Sequence, residues 1–168
     1  MIRPYVVLLF LVFVLAGCGG PSPEEMFARA GEAVDARDFP LAIAEFTKLV
    51  EAHPESEQAE VSMFTIATIY NNELHEFDKA IEAYKKYLSL NPDGTKAPEA
   101  SFLIAYLYHN ELKNLDSAAV AYRAFLDRFP DHEMAPSAKF ELEHLGKSPE
   151  ELLPDADPDP TSTKDIPT

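Results

Sequence analysis

A 38-residue period runs through the middle of this chain and limits its possible folds more than any other feature. Phe39, Phe77 and Leu115 stand 38 apart, as do Ala42, Ala80 and Ala118, Phe46, Tyr84 and Tyr122, and Val50, Leu88 and Leu126. Pro54, Pro92 and Pro130 close each copy. Within a copy the apolar offsets 0, 3, 4, 7, 10 and 11 form one face of a helix with 3.6 residues per turn. Proline disfavours helical geometry in the residue before it, so each helix ends there. A second helix set alternates with the first: Phe64, Ile66, Ala67, Ile69 and Tyr70 recur as Phe102, Ile104, Ala105, Leu107 and Tyr108. The series continues through Phe140, Leu142 and Leu145, with Glu143 and Gly146 replacing Ala and Tyr.

An earlier copy at 26–34 is poorer and lies one residue closer to its partner helix. Its start is clear: Ser22 as N-cap, Pro23 at the first helical position and Glu25 three residues after the cap form a capping box. The spacing predicts seven helices, near 23–35, 39–52, 57–72, 77–90, 97–111, 115–128 and 134–145. A helix with one apolar stripe cannot bury it alone, so neighbouring pairs must stack into an all-α solenoid.

Residues 1–17 do not belong to that pattern. Arg3 is the only charge before a 12-residue apolar run at 5–16, which is shorter than the roughly 20 residues a membrane span needs. A basic start, a short apolar stretch and small residues at its end predict a secretory signal peptide. The string Leu15-Ala16-Gly17-Cys18 resembles the bacterial lipobox, and Cys18 is the only cysteine in the chain. That resemblance implies cleavage before Cys18, a diacylglycerol on its thiol and acylation of its amine. Two or more acyl chains anchor a protein stably without a basic patch. Gly19 follows; by similarity to sorting in many Gram-negative bacteria, the absence of Asp there favours the outer membrane. Residues 18–22 would then be the lipidated cysteine and a short tether. Its four residues after Cys18 span at most about 14 Å, which keeps the first helix near the bilayer.

Charge removes several function classes. With 14 Lys+Arg against 29 Asp+Glu, the formal net charge is −15. Such a surface repels phosphates and anionic lipid, which argues against nucleic acid and against electrostatic membrane binding. A single cysteine cannot form an internal disulfide.

The pattern Ala-x3-Phe/Tyr followed by Pro, as in Ala42/Phe46/Pro54, Ala80/Tyr84/Pro92 and Ala118/Tyr122/Pro130, resembles the second helix of the tetratricopeptide repeat. Ile66-Ala67-x2-Tyr70 and Ile104-Ala105-x2-Tyr108 stand where that family has Leu-Gly-x2-Tyr. The departures are the 38-residue period in place of 34, the absence of Trp, and Leu49, Tyr87 and Phe125 where a late alanine is usual. Longer repeats of this kind are similar to those of bacterial envelope lipoproteins, including the BamD-like component of β-barrel assembly and the Tol-Pal-associated coordinator. The resemblance covers about 23–146. It implies a right-handed solenoid of about three hairpins plus a terminal capping helix, whose first helices line a groove.

Carried onto this chain, the family's spacing places Thr65, Thr68, Asn71 and Asn72, then Leu103, Tyr106, His109 and Asn110, along that groove. Amide, hydroxyl and aromatic groups suit an extended peptide. The paired lysines and arginine of the chaperone-tail clamp are absent. The resemblance therefore implies a lipid-anchored adaptor for an envelope protein, monomeric apart from its partner. The alternatives are a self-associating scaffold, through Phe140, Leu142 and Leu145, or a cell-wall enzyme.

Catalytic and metal signatures fail on inspection. His75-Glu76 and His132-Glu133 begin a His-Glu-x-x-His string and miss its fifth position. Asp155, Asp157 and Asp159 open like a calcium loop, but Pro160 stands where glycine is needed and Ile166 where Glu should chelate. No Gly-rich phosphate loop or Gly-x-Ser-x-Gly elbow occurs. The expectation is no catalytic residue, no metal and no cofactor. At the C-terminal end, 147–168, Ser148-Pro149-Glu150-Glu151 repeats the helix-start signature and Leu152-Leu153 would finish one docked turn. From Pro154 onward the Pro- and Asp-rich sequence predicts disorder.

Overall fold

The computed structural model describes residues 20–147 and residue 151; residues 1–19, 148–150 and 152–168, and with them the leader, Cys18 and the expected helix start at Ser148-Pro149-Glu150, lie outside the described residues. The described chain is all-α. It runs α1 (Pro23–Asp35), α2 (Phe39–Ala52), α3 (Glu57–Asn72), α4 (Phe77–Leu90), α5 (Ala97–Tyr106), a π-helical turn (Leu107–Glu111), α6 (Leu115–Arg128) and α7 (Ala135–Glu143). The pairs α1–α2, α3–α4 and α5–α6 form hairpins, and each second helix packs on the first helix of the next pair. α7 continues the stack as the first helix of a fourth copy.

The helix ends repeat with the sequence. Ser22 accepts from the Glu25 amide while the Glu25 carboxylate accepts from the Ser22 amide, which completes the capping box of α1. The second helices start after Asp38, Glu76 and Asn114. Asp38 caps the Leu41 amide at 3.1 Å and Asn114 the Ser117 amide at 3.0 Å. Glu76 makes no side-chain cap and pairs with Lys79 at 2.6 Å instead. Just before these caps, Arg37, His75 and Lys113 have φ of 58°, 53° and 52°. The hairpin turn thus needs one left-handed residue, at the same place each time, and a non-glycine supplies it against its steric preference. At the opposite end, His53, Asn91 and Phe129 are the non-helical caps immediately before the three repeat prolines.

Two expected helices differ in detail. The 97–111 helix changes to π geometry at Leu107, where the Leu112 amide reaches back five residues to the Leu107 carbonyl. The preceding hairpin closes with the same bond, Leu74 to Ile69. The last helix is shorter than 134–145: His144 is its C-cap, and Gly146 takes φ +80°. The shortened first hairpin shows in its turn as well. The Asp38 amide bonds five residues back to Ala33, whereas Glu76 and Asn114 bond six back to Tyr70 and Tyr108.

Packing follows from small residues facing aromatic ones. Ala42, Ala80 and Ala118 on the second helices, and Ala30, Ala67 and Ala105 on the first, are fully buried and let the helix backbones approach. Beside them Phe46, Tyr84, Tyr122, Leu49, Tyr87 and Phe125 are almost completely buried. Phe64 lies 5.5 Å from Tyr84 and 5.7 Å from Tyr87; one repeat on, Phe102 lies 5.9 Å from Tyr122 and 5.7 Å from Phe125. Phe27 against Phe46, at 5.5 Å, is the first-hairpin version. These tilted and edge-on pairs add to burial, by about 0.5–1.5 kcal/mol each.

Tyr87 ties the second hairpin to the loop that starts the third. Its Oη donates to Glu60 Oε1 at 2.8 Å and accepts from the Lys96 amide at 3.2 Å. Gly94 is required there, because a Cβ would stand 2.5 Å from Tyr87 Oη and 2.6 Å from Glu60 Oε1. Burial, aided by the Glu60 carboxylate, pushes the Tyr87 phenol up to about 12. Burial also raises the Tyr122 phenol, whose Oη has no hydrogen-bond partner among the described residues.

Both tyrosines favour the protonated native state. Their contribution is full below the ordinary phenol value of about 10 and declines above it, for Tyr87 through about 12. Burial raises the Tyr84 phenol as well, so an alkaline titration followed by phenolate absorbance should show three tyrosines, Tyr84, Tyr87 and Tyr122, ionising only as the helices melt. Tyr87→Phe should lower stability by about 1–2 kcal/mol, since it strands the Lys96 amide, whereas Tyr122→Phe should be neutral or slightly stabilising.

Ser62 stands where the next two copies have Ala100 and Ala138. It is fully buried with its hydroxyl unpartnered among the described residues. Ser62→Ala should therefore raise stability by about 1 kcal/mol, seen as a thermal midpoint about 4 °C higher. A lower midpoint would show that the hydroxyl is satisfied.

Candidate functional site

α3 and α5 are first helices of adjacent hairpins, and their outward rows carry six of the eight residues expected to line a groove. On α3 the row is Val61, Thr65, Thr68 and Asn72; on α5 it is Glu99, Leu103 and Tyr106, continued by Asn110 in the π turn. The i, i+4, i+7, i+11 spacing puts each row on one helix face. Val61, 45% exposed, and Tyr106, 40% exposed, are its large apolar members open to solvent.

The polar members are partly committed to their own helices. Thr65 Oγ1 donates to the Val61 carbonyl at 2.8 Å and Thr68 Oγ1 to the Phe64 carbonyl at 3.1 Å. Thr68 Oγ1 also lies 3.4 Å from Tyr84 Oη, and Asn71 reaches the same phenol. Asn110 Nδ2 donates to the Tyr106 carbonyl at 3.3 Å, while Asn72 is exposed. Leu103 is half-buried against the core of the second hairpin. His109 is engaged with α7: its Nδ1 lies 3.2 Å from Glu141 Oε2, without hydrogen-bond alignment, and its ring stands edge-on to Tyr122 at 6.4 Å. The structure therefore leaves Thr65, Asn72, Tyr106 and, in part, Thr68 and Asn110 on the open face. Asn71, Leu103 and His109 join helices together.

The principal apolar concavity lies on the other side of α5. A trough of about 470 Å³ opens between α4 and α6, floored by Ser101 and Ile104 of α5 and Tyr108 of the π turn and walled by Leu88, Val120 and Ala124. The matching trough one repeat earlier, between α2 and α4, holds only about 110 Å³. The cause is legible by shifting the sequence 38 places. Met63 and Lys86, which line the smaller trough, are replaced by Ser101 and Ala124. Lys79 and Glu82 give way to Ser117 and Val120. Sequence reasoning missed this trough because it searched for what the repeats share, whereas the trough comes from where they differ. A polar hollow of about 620 Å³ lies where the loop at Thr95 and Lys96 meets that at His132 and Glu133; it is larger but offers little apolar contact.

The remaining histidines do structural work. His53 Nε2 is 3.1 Å from the Pro21 carbonyl, His132 Nδ1 accepts from the Met134 amide at 3.3 Å, and His144 stacks on Phe140 at 4.2 Å. His75 packs on Phe77 at 5.9 Å. Among the described residues no three His, Cys, Asp or Glu side chains converge as a metal site would require, and no helix is long and apolar enough to cross a membrane.

Residues 21–148 match the family model YfiO, described as outer membrane lipoprotein. A search of curated proteins gives no match. The matched segment spans all seven helices and both faces described above.

Proposed function

Since the chain belongs to the YfiO outer membrane lipoprotein family, we propose that it is a lipid-anchored adaptor on the periplasmic face of the outer membrane. It holds an envelope protein through the repeat surface and makes or breaks no bond. Cys18 carries the acyl chains. The tether to Ser22 is short, so α1 stays within about 14 Å of the lipidated residue.

The observation that supports the groove is the pair Val61 and Tyr106, exposed apolar side chains on neighbouring rows that also carry Thr65, Thr68, Asn72 and Asn110. An extended segment lying across α3 and α5 buries its side chains on the two apolar residues and satisfies its backbone with the hydroxyls and amides. Tyrosine serves this purpose well, combining a large apolar face with a polar tip at low entropic cost.

Two experiments test this reading. Tyr106→Ala with Thr68→Ala should weaken binding of a partner purified from envelopes by about tenfold or more, with an unchanged helical spectrum. Undiminished affinity rejects the groove. Separately, Cys18→Ser should abolish incorporation of labelled fatty acid and release the protein from the membrane fraction. Retention in the membrane without label would exclude the lipid anchor.

A further inference from the structure

We propose that the trough between α4 and α6 is a second docking site, and that its occupant is an amphipathic helix of a partner protein. That helix places two large apolar side chains one turn apart in the trough and a carboxylate at Lys85. The proposal goes beyond the groove on α3 and α5, because the trough lies on the opposite face of α5 and either can fail without the other.

At the preceding repeat the same place is filled by Met63 and Lys86 and leaves about 110 Å³. Here Ser101 and Ala124 leave about 470 Å³. The change is not loss of bulk alone: Val120, 66% exposed, replaces Glu82, which makes the rim apolar as the floor opens. An exposed valine beside Leu88, Ile104 and Ala124 is the surface expected under a partner's apolar side chains.

Dimensions and charge define the occupant. Along α6 the trough runs from Asp116 to Ala124, eight residues or about 12 Å at about 1.5 Å per residue. Two side chains one helical turn apart, about 5.4 Å, fit that length. The polar end is at the α5–α6 turn, where Lys85 Nζ donates to Tyr108 Oη at 2.9 Å and lies 5.2 Å over its ring. Among the described residues Lys85 pairs with no carboxylate. Asp116 lines the same end of the trough but makes no ion pair with Lys85, so the ammonium is left to an acid at that end of the incoming helix.

The test introduces a photoreactive amino acid at Val120 of the full-length, lipidated protein and irradiates native envelopes. The expected adduct joins Val120 to one partner protein, at a segment with apolar residues one turn apart followed by Asp or Glu. A synthetic peptide of that segment should bind the full-length protein. Its affinity should fall about tenfold or more with Ser101→Met plus Ala124→Lys. Met63 and Lys86 already occupy those places one repeat earlier, so this variant should fold, as its helical spectrum and thermal midpoint will show. Lys85→Thr, the residue at position 47, should cost several-fold, and amidation of the peptide's acid should have the same effect. Tyr106→Ala with Thr68→Ala should leave peptide binding unchanged. The proposal is overturned by an adduct only to the chain's own residues 152–168, to a second copy or to phospholipid. Absence of any adduct, or a peptide affinity unmoved by the double substitution, also overturns it.

Discussion

Close approach of paired helices, permitted by alanine and filled by aromatic rings, is the constraint on which the rest of this structure depends. Ala42, Ala80 and Ala118 are fully buried in the second helices, opposite Ala30, Ala67 and Ala105 in the first. A methyl group at these places sets the interhelical distance, and a larger residue would force the hairpin apart. Phe46, Tyr84 and Tyr122 sit one turn beyond each second-helix alanine and occupy the space that closer contact leaves. The stripe that forms a hairpin also leaves an apolar edge for the next hairpin to cover, so the stack propagates. α7 presents Phe140 at 53% exposure, and that end face ends the described stack.

The same geometry generates the two faces proposed as binding surfaces. First helices turn one row, with Val61 and Tyr106, toward the proposed peptide groove. Their opposite side forms the floor between successive second helices. Where large residues fill that floor, as Met63 and Lys86 do, the face is closed; where Ser101 and Ala124 stand, it opens. A repeat protein can thus create a site by local divergence while the buried alanine and aromatic positions keep the backbone unchanged. The outer membrane lipoprotein family to which the chain belongs supplies the setting, and the repeat surface is the proposed means of holding a partner there.

Much of the fold was legible in the sequence because several local signals agree. Proline after each second helix, the cap at Ser22 and a 3.6-residue stripe placed the helix bounds, five of seven matching the structure and two differing in the π turn at Leu107 and the early end of α7. What escaped was conformational. No glycine marks the left-handed turn positions, since Arg37, His75 and Lys113 occupy them, and the π turn at Leu107 follows from a closing hydrogen bond that no side chain announces. The groove residues were only partly legible. Spacing gave the helix face but not the neighbour, so His109 proved to be engaged with Glu141 and Leu103 with the core. The trough was present in the sequence as a departure from the repeat at four positions, which a search for periodicity discards.

The central claim is that the repeat surface, held at the membrane by its lipid, binds a partner without chemistry. Hydrogen exchange of the full-length lipidated protein measures this most directly, comparing it purified in detergent with the same protein in native outer-membrane vesicles. The account predicts added protection in peptides from α3, α5 and α6 in the vesicles, with α2 largely unchanged. Identical exchange in the two settings, or protection confined to α1 beside the tether, would contradict it.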